Sequence, residues 1–212
     1  MYNTYQSVFI GGLSMMYEKS HSTIAQILDA AQRLFVTNSY DDITMAAIAC
    51  EAEVTKGAIY HHFKGKEELF LKMMLRYLDC LQALLQQAVD LPGSARQRLT
   101  QLTALYLDQS LEEQKVMQLV RRDANRFGKQ TREQLVQAYQ SALPNQIEAI
   151  IAEGIKTRQI VAEDARLLAW QFVAIVEVCL SQYARQQFQT PQEMATALTK
   201  LFFDGAGLSQ ED

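Results

Sequence analysis

Proline and glycine are scarce in this chain, which has three prolines and nine glycines among 212 residues. Both residue types interrupt helices, and the alternating β-branched pattern that would indicate strands is nearly absent. What remains is amphipathic sequence rich in Leu, Ala, Gln and Glu, and 49% of the residues are apolar, enough to fill a core. The sequence therefore predicts an all-α protein and excludes global disorder.

The chain also lacks paired cysteines, a long apolar run and an excess of positive charge. Its three cysteines, Cys50, Cys80 and Cys179, are far apart and form no CxxC motif, which is typical of a reducing cytoplasm. The most apolar stretch, residues 167–180, contains Glu177 and is shorter than the roughly 20 residues of a membrane span. The sequence has no basic segment followed by an apolar segment, so it predicts no signal peptide. We expect a cytoplasmic protein without a membrane partner, and its net charge of −4 gives no general attraction to nucleic acid.

Helical periodicity and capping signals predict the order of the helices. Thr44 and Thr55 are N-cap types that open two short helices within residues 44–63. One helix is predicted from Ser22 to the "TNSYDD" segment, another from "KGKEEL" to Pro92–Gly93, and others over 95–108, 111–127, 131–157, 163–187 and 191–204. Capping boxes are predicted for Ser110 with Glu113, Thr131 with Gln134, and Thr190 with Glu193. Pro144 should kink or divide the helix over 131–157, because proline removes a backbone donor.

Two short helices joined by a tight turn are the layout of a helix-turn-helix, whose second helix enters the major groove by its N-terminal end. The first turn of this second helix is small or polar in the present sequence. Thr55 and Gly57 permit close approach to DNA, and Lys56 can reach a base edge or a phosphate. Tyr60 follows one turn later. The start of the next helix, together with Lys66, is a natural seat for a phosphate group.

Residues 22–74 resemble the DNA-binding domain of the tetracycline-repressor (TetR/AcrR) family. The resemblance rests on "ILDAAQRLF", "ITMAAIACEAEV" and "TKGAIYHHFKGKEELF", and the Tyr–x–His–Phe–x–x–Lys–Glu run is its specific part. It implies phosphate or base contacts from Thr44, Lys56, Gly57, Tyr60, His61 and Lys66, a partly structural His62 and a core Phe63. Glu53 stands where the family usually has glycine, and a left-handed conformation there would cost about 1 kcal/mol.

The resemblance also implies an organisation and a mode of action for the whole chain. We expect a flexible lead over residues 1–20, a DNA-binding domain over 21–74, and a C-terminal helical domain for ligand binding and dimerisation over 75–212. The predicted function is a ligand-responsive homodimer that binds a near-palindromic double-stranded DNA operator and is released by a small hydrophobic organic effector. Repressor is the default, and activator remains open. Residues 18–72 hold six Lys or Arg and eight Asp or Glu, so nonspecific DNA binding should be weak.

Inward-facing apolar and aromatic residues in the C-terminal part supply candidates for the effector pocket and for the dimer interface. The predicted pocket residues are Leu102, Tyr106, Val116, Met117, Val120, Tyr139, Ile147, Trp170, Phe172 and Val173, although most of them could simply fill a core. The predicted interface residues are Val176, Leu180, Tyr183, Met194, Leu198, Leu201 and Phe202.

The competing class is an enzyme or carrier, a helical bundle that holds a lipophilic substrate. Residues 75–212 contain no histidine and no nucleophile–base or metal constellation, so we predict no enzyme activity, cofactor or metal. Side chains of adjacent helical residues point about 100° apart, which favours phosphate contact or packing over metal binding for His61 and His62. Glu177 could face solvent, pair with an arginine or meet a cationic ligand. The charges at 121–126 are most simply a solvated face, with an anion-anchoring arginine as the alternative.

Overall fold

The computed structural model of the chain describes residues 22–205, and every regular element in that range is a helix. The elements are α1 (residues 22–37), α2 (Met45–Glu51), α3 (Lys56–His62), α4 (Lys66–Val89), α5 (Ala95–Leu107), α6 (Leu111–Asp123), a 3₁₀ turn (Ala124–Arg126), α7 (Lys129–Ala142), α8 (Pro144–Lys156), α9 (Ala165–Val178), α10 (Gln182–Gln187) and α11 (Pro191–Asp204). The predicted all-α class is confirmed. The predicted lead over residues 1–20 lies outside the described residues.

Helices α2 and α3 begin where their capping residues predict. Thr44 Oγ1 accepts a hydrogen bond from the Ala47 N–H at 3.1 Å, and Thr55 Oγ1 accepts one from the Ala58 N–H at 3.1 Å. Between the two helices Glu53 adopts the left-handed conformation, with φ of 53°. The two predicted caps and the tight turn between them therefore produce the helix-turn-helix.

Helix α4 links the helix-turn-helix to the rest of the molecule. Its 24 residues extend about 36 Å, and it packs against α5, α7 and α8. Its buried face runs from Leu69 near the first turn to Ala88 in the last. Helix α8 also approaches α5 closely at Gly154, where an added Cβ would lie 2.9 Å from the Ala95 Cβ. None of the helices between residues 22 and 205 combines the length and the hydropathy that a membrane span requires.

Two predicted helix limits are confirmed. Pro144 divides the segment 131–157, because α7 ends at Ala142 and α8 begins at the proline itself. The predicted capping box at Ser110 forms as well. The Glu113 N–H donates to Ser110 Oγ at 3.2 Å, and the Ser110 N–H donates to the Glu113 carboxylate at 2.8 Å.

Two other limits are wrong. The helix predicted over 163–187 breaks after Val178, and Ser181 caps a new helix by accepting a hydrogen bond from the Ala184 N–H at 3.2 Å. Thr131 was a predicted cap, but α7 already begins at Lys129. The Thr131 hydroxyl instead donates to Glu67 Oε1 on α4 at 2.6 Å, so this residue joins two helices.

Candidate functional site

Helices α2 and α3 present one exposed polar face. Solvent reaches all of its members, Thr44, Thr55, Lys56, Gly57, Tyr60 and His61. Tyr60 is 48% exposed, whereas Ile59 and Phe63 on the opposite side of α3 are buried. The face offers a cation, hydroxyl groups and an aromatic ring within two turns of α3, the groups with which such a helix reads the major groove. The DNA contacts of these six residues remain predictions.

Lys66, predicted to seat a phosphate, is turned towards the protein. Its Nζ donates to the carbonyl oxygens of Tyr40 at 2.7 Å and of Ile43 at 2.8 Å, and it lies 4.3 Å from the centroid of the Tyr40 ring. An ammonium group has three donors, so these contacts take up most of its bonding capacity. The predicted phosphate contact is therefore corrected to a structural role. Lys66 holds the α1–α2 loop against the start of α4.

The two adjacent histidines pack against each other and against Phe63. The His61 and His62 rings meet edge to face with centroids 5.0 Å apart, and His62 also lies beside Phe63. His61 is exposed and His62 is half-buried. Among the described residues, no group of three or more His, Cys, Asp or Glu side chains is arranged as a metal site.

A cavity of about 220 Å³ lies between α5, α6 and the end of α9, and we call it the effector cavity. Its lining consists of Tyr106, Met117, Gln118, Glu177, Leu180 and Ser181. Tyr106 and Met117 are predicted pocket residues, and Leu180 comes from the predicted dimer interface. Tyr139, another predicted pocket residue, donates from its hydroxyl to Glu177 Oε1 at 3.3 Å and so supports the wall from behind.

Most of the other predicted pocket residues are core residues that the structure does not bring to this cavity. Those that are fully buried in the core are Leu102, Val116, Ile147, Phe172 and Val173. The Val120 side chain lies outside the described part of the chain. Trp170 is 38% exposed on α9, with its ring 6.2 Å from that of Tyr139. The role of these residues in a pocket remains a prediction, because helical periodicity separates inside from outside but does not separate a packed core from a cavity wall.

The predicted dimer interface is corrected in the same way. Val176, Met194 and Leu198 are buried within the chain itself and cannot meet a second copy. Tyr183 and Leu201 are exposed, and the half-buried Phe202 packs against Phe172 in the core.

A different apolar face, which the sequence analysis missed, is exposed along α9. It comprises Leu167, Trp170, Ala174 and Val178, and we call it the α9 face. These residues follow one another at intervals of three or four, so they lie on one side of the helix. Their spacing was readable, but only the packing of the opposite side on α8 decides which stripe is left outside.

The loop between α1 and α2 is held in place by aromatic rings as well as by Lys66. Phe127, which follows the 3₁₀ turn, has its ring centroid 5.1 Å from those of both Tyr40 and Phe70. Phe35 stacks on Tyr40 at 5.6 Å, and we call these four residues the aromatic cluster. Burial, assisted by the negative charge of Glu67, raises the pKa of Tyr40 to about 12. Phe127 thus completes a core to which α1, α4 and the α1–α2 loop contribute.

Charged side chains reinforce this junction between α6 and the N-terminal helices. Arg126 pairs with Asp41 in the α1–α2 loop, and Arg122 Nη2 lies 3.4 Å from the Asn38 carbonyl oxygen. The Asp123 carboxylate is buried, accepts from Arg122 Nη2 at 2.7 Å and lies 3.0 Å from Arg126 Nε. The solvated face predicted for residues 121–126 is therefore wrong at Asp123, which orients both arginines towards the loop.

The three-helix N-terminal unit, its capped recognition helix and its exposed polar face define the class, a helix-turn-helix DNA-binding regulator. Residues 27–73 match the family described as bacterial regulatory proteins, tetR family. This segment is therefore similar to the tetR family, as the sequence resemblance predicts.

Relatives and solved structures extend the likeness beyond the N-terminal domain. The transposon Tn10 TetC protein of Escherichia coli is 27% identical over 151 residues, which cover 71% of this chain and 75% of TetC. The transcriptional activator FasR of Mycolicibacterium smegmatis is 36% identical over 83 residues, which cover 39% of this chain and 38% of FasR. FadR of Bacillus subtilis, solved in complex with stearoyl-CoA, has a TM-score of 0.74 at 18% identity and covers 86% of this chain and 99% of FadR. At that identity the FadR likeness concerns the fold.

Proposed function

We propose that this protein is a ligand-responsive transcriptional regulator whose effector cavity controls its hold on DNA through α6. One observation carries the proposal. Helix α6 contributes Met117 and Gln118 to the cavity and, one turn later, places Arg122 and Asp123 at the α1–α2 loop. A ligand that favours another position of α6 would therefore also change the free energy of the junction, to the extent of its differential affinity for the two positions.

The lining of the effector cavity favours a compact and mostly apolar effector. Tyr106, Met117 and Leu180 supply apolar surface, while Gln118, Glu177 and Ser181 can fix a polar group of the effector. Its volume of about 220 Å³ lies below the roughly 300–1,000 Å³ of ordinary ligand pockets. A ligand the size of the stearoyl-CoA bound to the FadR neighbour exceeds it. We therefore propose a small organic effector rather than a long acyl chain.

We further propose that the protein acts as a homodimer through the α9 face. Leu167, Trp170 and Val178 are exposed on one side of α9. Contiguous apolar surface of this kind is rare on a monomer and usually marks an interface. The exposed Leu201 on α11 extends the same proposal. This arrangement replaces the interface predicted from the sequence.

A symmetric dimer would bind a near-palindromic operator with one recognition helix in each half-site. We propose repression in the cytoplasm as the default mode, with release by the effector. The activator FasR is similar to this chain over 83 residues, so activation is the second candidate.

A gel shift with the DNA upstream of the protein's own gene tests the proposal, with and without compounds drawn from a library of small hydrophobic molecules. Gln118→Trp, a change at an exposed residue of the cavity wall, should fill the effector cavity, preserve DNA binding and abolish release. Lys115→Trp, at an exposed residue of α6 that does not line the cavity, is the matched control and should respond normally. No DNA binding by the unmodified protein, or normal release from Gln118→Trp, would contradict the proposal.

A further inference from the structure

A second cavity lies on the other side of the break between α9 and α10, and the proposed function does not use it. Its volume is about 170 Å³, and we call it the Arg185 cavity. Leu107, Phe188 and Met194 form its apolar walls, and Arg185 and Thr190 contribute its polar groups. The two cavities are neighbours because consecutive residues line them. Tyr106 and Leu180 face the first cavity, and Leu107 and Cys179 face the second.

Arg185 is half-buried without an ion-pair partner, whereas Arg132, Arg158 and Arg166, which also lack one among the described residues, are exposed. Six other arginines each form an ion pair with a carboxylate, namely Arg33, Arg76, Arg96, Arg98, Arg122 and Arg126. Among the described residues, no carboxylate lies within ion-pair distance of Arg185, whose Nε donates to the Leu180 carbonyl oxygen at 3.3 Å. That bond anchors the guanidinium at the cavity wall and leaves its two Nη groups to serve a ligand. A half-buried arginine with apolar neighbours loses part of its hydration. Charge-assisted hydrogen bonds to a bound anion would compensate for that loss.

The polar groups beside Arg185 suit a carboxylate. Thr190 Oγ1 accepts the Glu193 N–H at 3.1 Å, so the hydroxyl proton of Thr190 can be donated into the cavity. Glu193, the acidic residue closest in sequence to Thr190, is not part of the lining, and its carboxylate accepts the Gln189 N–H at 2.9 Å. The lining residues include no acid that would repel an anion.

We propose that the Arg185 cavity is a second ligand site, which takes a small organic acid with its carboxylate on Arg185 and its apolar body against Leu107, Phe188 and Met194. The volume of about 170 Å³ equals that of roughly six waters at about 30 Å³ each, so it suits an apolar body of about six non-hydrogen atoms. A bare inorganic anion would leave the apolar walls unfilled. The site is separate from the effector cavity and does not depend on the proposed role of that cavity.

The wall shared with the effector cavity indicates what the second ligand would do. Residues 179–181 separate the two cavities, and Ala184 is the buried residue that anchors α10 in the fold. A ligand that ties Arg185 to α11 would restrain α10 and, with it, the Leu180 and Ser181 wall of the effector cavity. Occupation of one site should therefore alter affinity at the other, reciprocally.

Cys179 lines the Arg185 cavity and offers a direct probe. The exposed Cys50 and Cys80 are replaced by serine, which leaves Cys179 as the single thiol, and its reaction with a thiol reagent is followed without DNA. Burial raises the pKa of the Cys179 thiol, so the reaction is run at mildly alkaline pH. Hexanoate and benzoate are the probes, with hexanamide, benzamide, hexylamine and inorganic phosphate as comparisons. At about ten times its Kd, an acid should slow labelling roughly tenfold, because only the empty site exposes the thiol.

Arg185→Gln should remove the protection by the acids, and Arg185→Lys should retain part of it. Arg166→Gln, at an exposed arginine of α9 outside both cavities, is the matched control and should label like the parent. Equal protection by acid and amide in the parent protein would overturn the proposal even if Arg185→Gln failed to fold. Protection by phosphate alone, or protection that survives in folded Arg185→Gln, would overturn it as well. Gln118→Trp should keep the protection, so a failure of the proposed effector mechanism would be seen separately.

Discussion

At the scale of single residues, Lys66 shows most clearly that the contact implied by a motif can differ from the contact in the structure. The motif resemblance indicates a phosphate ligand, whereas the ammonium group is bonded to the Tyr40 and Ile43 carbonyls. Lys66→Ala should therefore lower the free energy of unfolding by about 1–3 kcal/mol, because two partly buried carbonyl acceptors lose a charged donor. Urea denaturation measures this change.

The control for this prediction is Lys64→Ala, which removes an exposed lysine next to α4. That variant should keep its stability but reduce the salt dependence of DNA binding by about one unit if Lys64 meets a phosphate. A stable Lys66→Ala protein with a reduced salt dependence would restore the phosphate role to Lys66.

Single residues that act through the local backbone were predictable from the sequence. Thr44 and Thr55 cap their helices as their types and positions indicate, and Glu53 takes the left-handed conformation of the turn. Lys66 and Thr131 were not predictable, because their partners lie 23 or more residues away in the chain. Local rules include no information about which distant carbonyl or carboxylate will be within reach.

At the scale of helices, the sequence predicts periodicity well and termination less well. The break at Pro144 is predictable from the sequence, because proline lacks the N–H that would continue the hydrogen bonds of α7. The break after Val178 has no proline or glycine, and its only local signal is Ser181, a capping residue within an otherwise continuous periodic stretch. The side of a helix that stays exposed depends on tertiary packing. For this reason Val176 and Leu198 were assigned to an interface although they belong to the core.

The α9 face gives a prediction for the dimer. Leu167→Lys with Val178→Lys should leave the fold intact, because these side chains are 58% and 67% exposed, and should convert a dimer into a monomer. Sedimentation at micromolar concentration measures the change. Val161→Lys, at a valine that is 67% exposed outside α9, should remain dimeric. A monomeric unmodified protein would exclude the interface, whereas lysine at the buried Leu198 would only unfold the chain.

The charged contacts between α6 and the α1–α2 loop give a prediction for regulation. Arg126→Gln and Asp41→Asn should each raise the effector concentration that releases DNA. The double variant should be no worse than Arg126→Gln alone, because that substitution already removes the ion pair with Asp41. Fluorescence anisotropy of labelled operator DNA measures both affinity and release. Lys129→Gln, whose exposed partner is Glu133 on the same helix, should change neither. Strictly additive effects of the two substitutions would show that the pair does not act as a unit.

At the scale of the whole molecule, a dimer with two recognition helices fixes the geometry of the operator. Half-sites should lie about 34–36 Å apart, or a multiple of this distance, on one side of the duplex. Inserting about five base pairs between them turns one half-site to the opposite side and should abolish tight binding, whereas inserting about ten should restore part of it. Gel shifts with the two insertions test this, and equal binding to both would indicate that the subunits contact DNA independently.

The aromatic cluster has a thermodynamic consequence for the entire chain. Because Phe127 supplies one wall of a core otherwise made by Phe35, Tyr40 and Phe70, the N-terminal helices and the remainder should melt together. Calorimetry of the protein should then give one heat-absorption peak rather than two, and Phe127→Ala should split it, with the helix-turn-helix part melting first. Because the helix-turn-helix part shares a core with the helices that follow it, the two parts cannot become independent of each other. Any sequence change that loosens the two parts from each other would lower the heat resistance of the DNA-binding part at the same time.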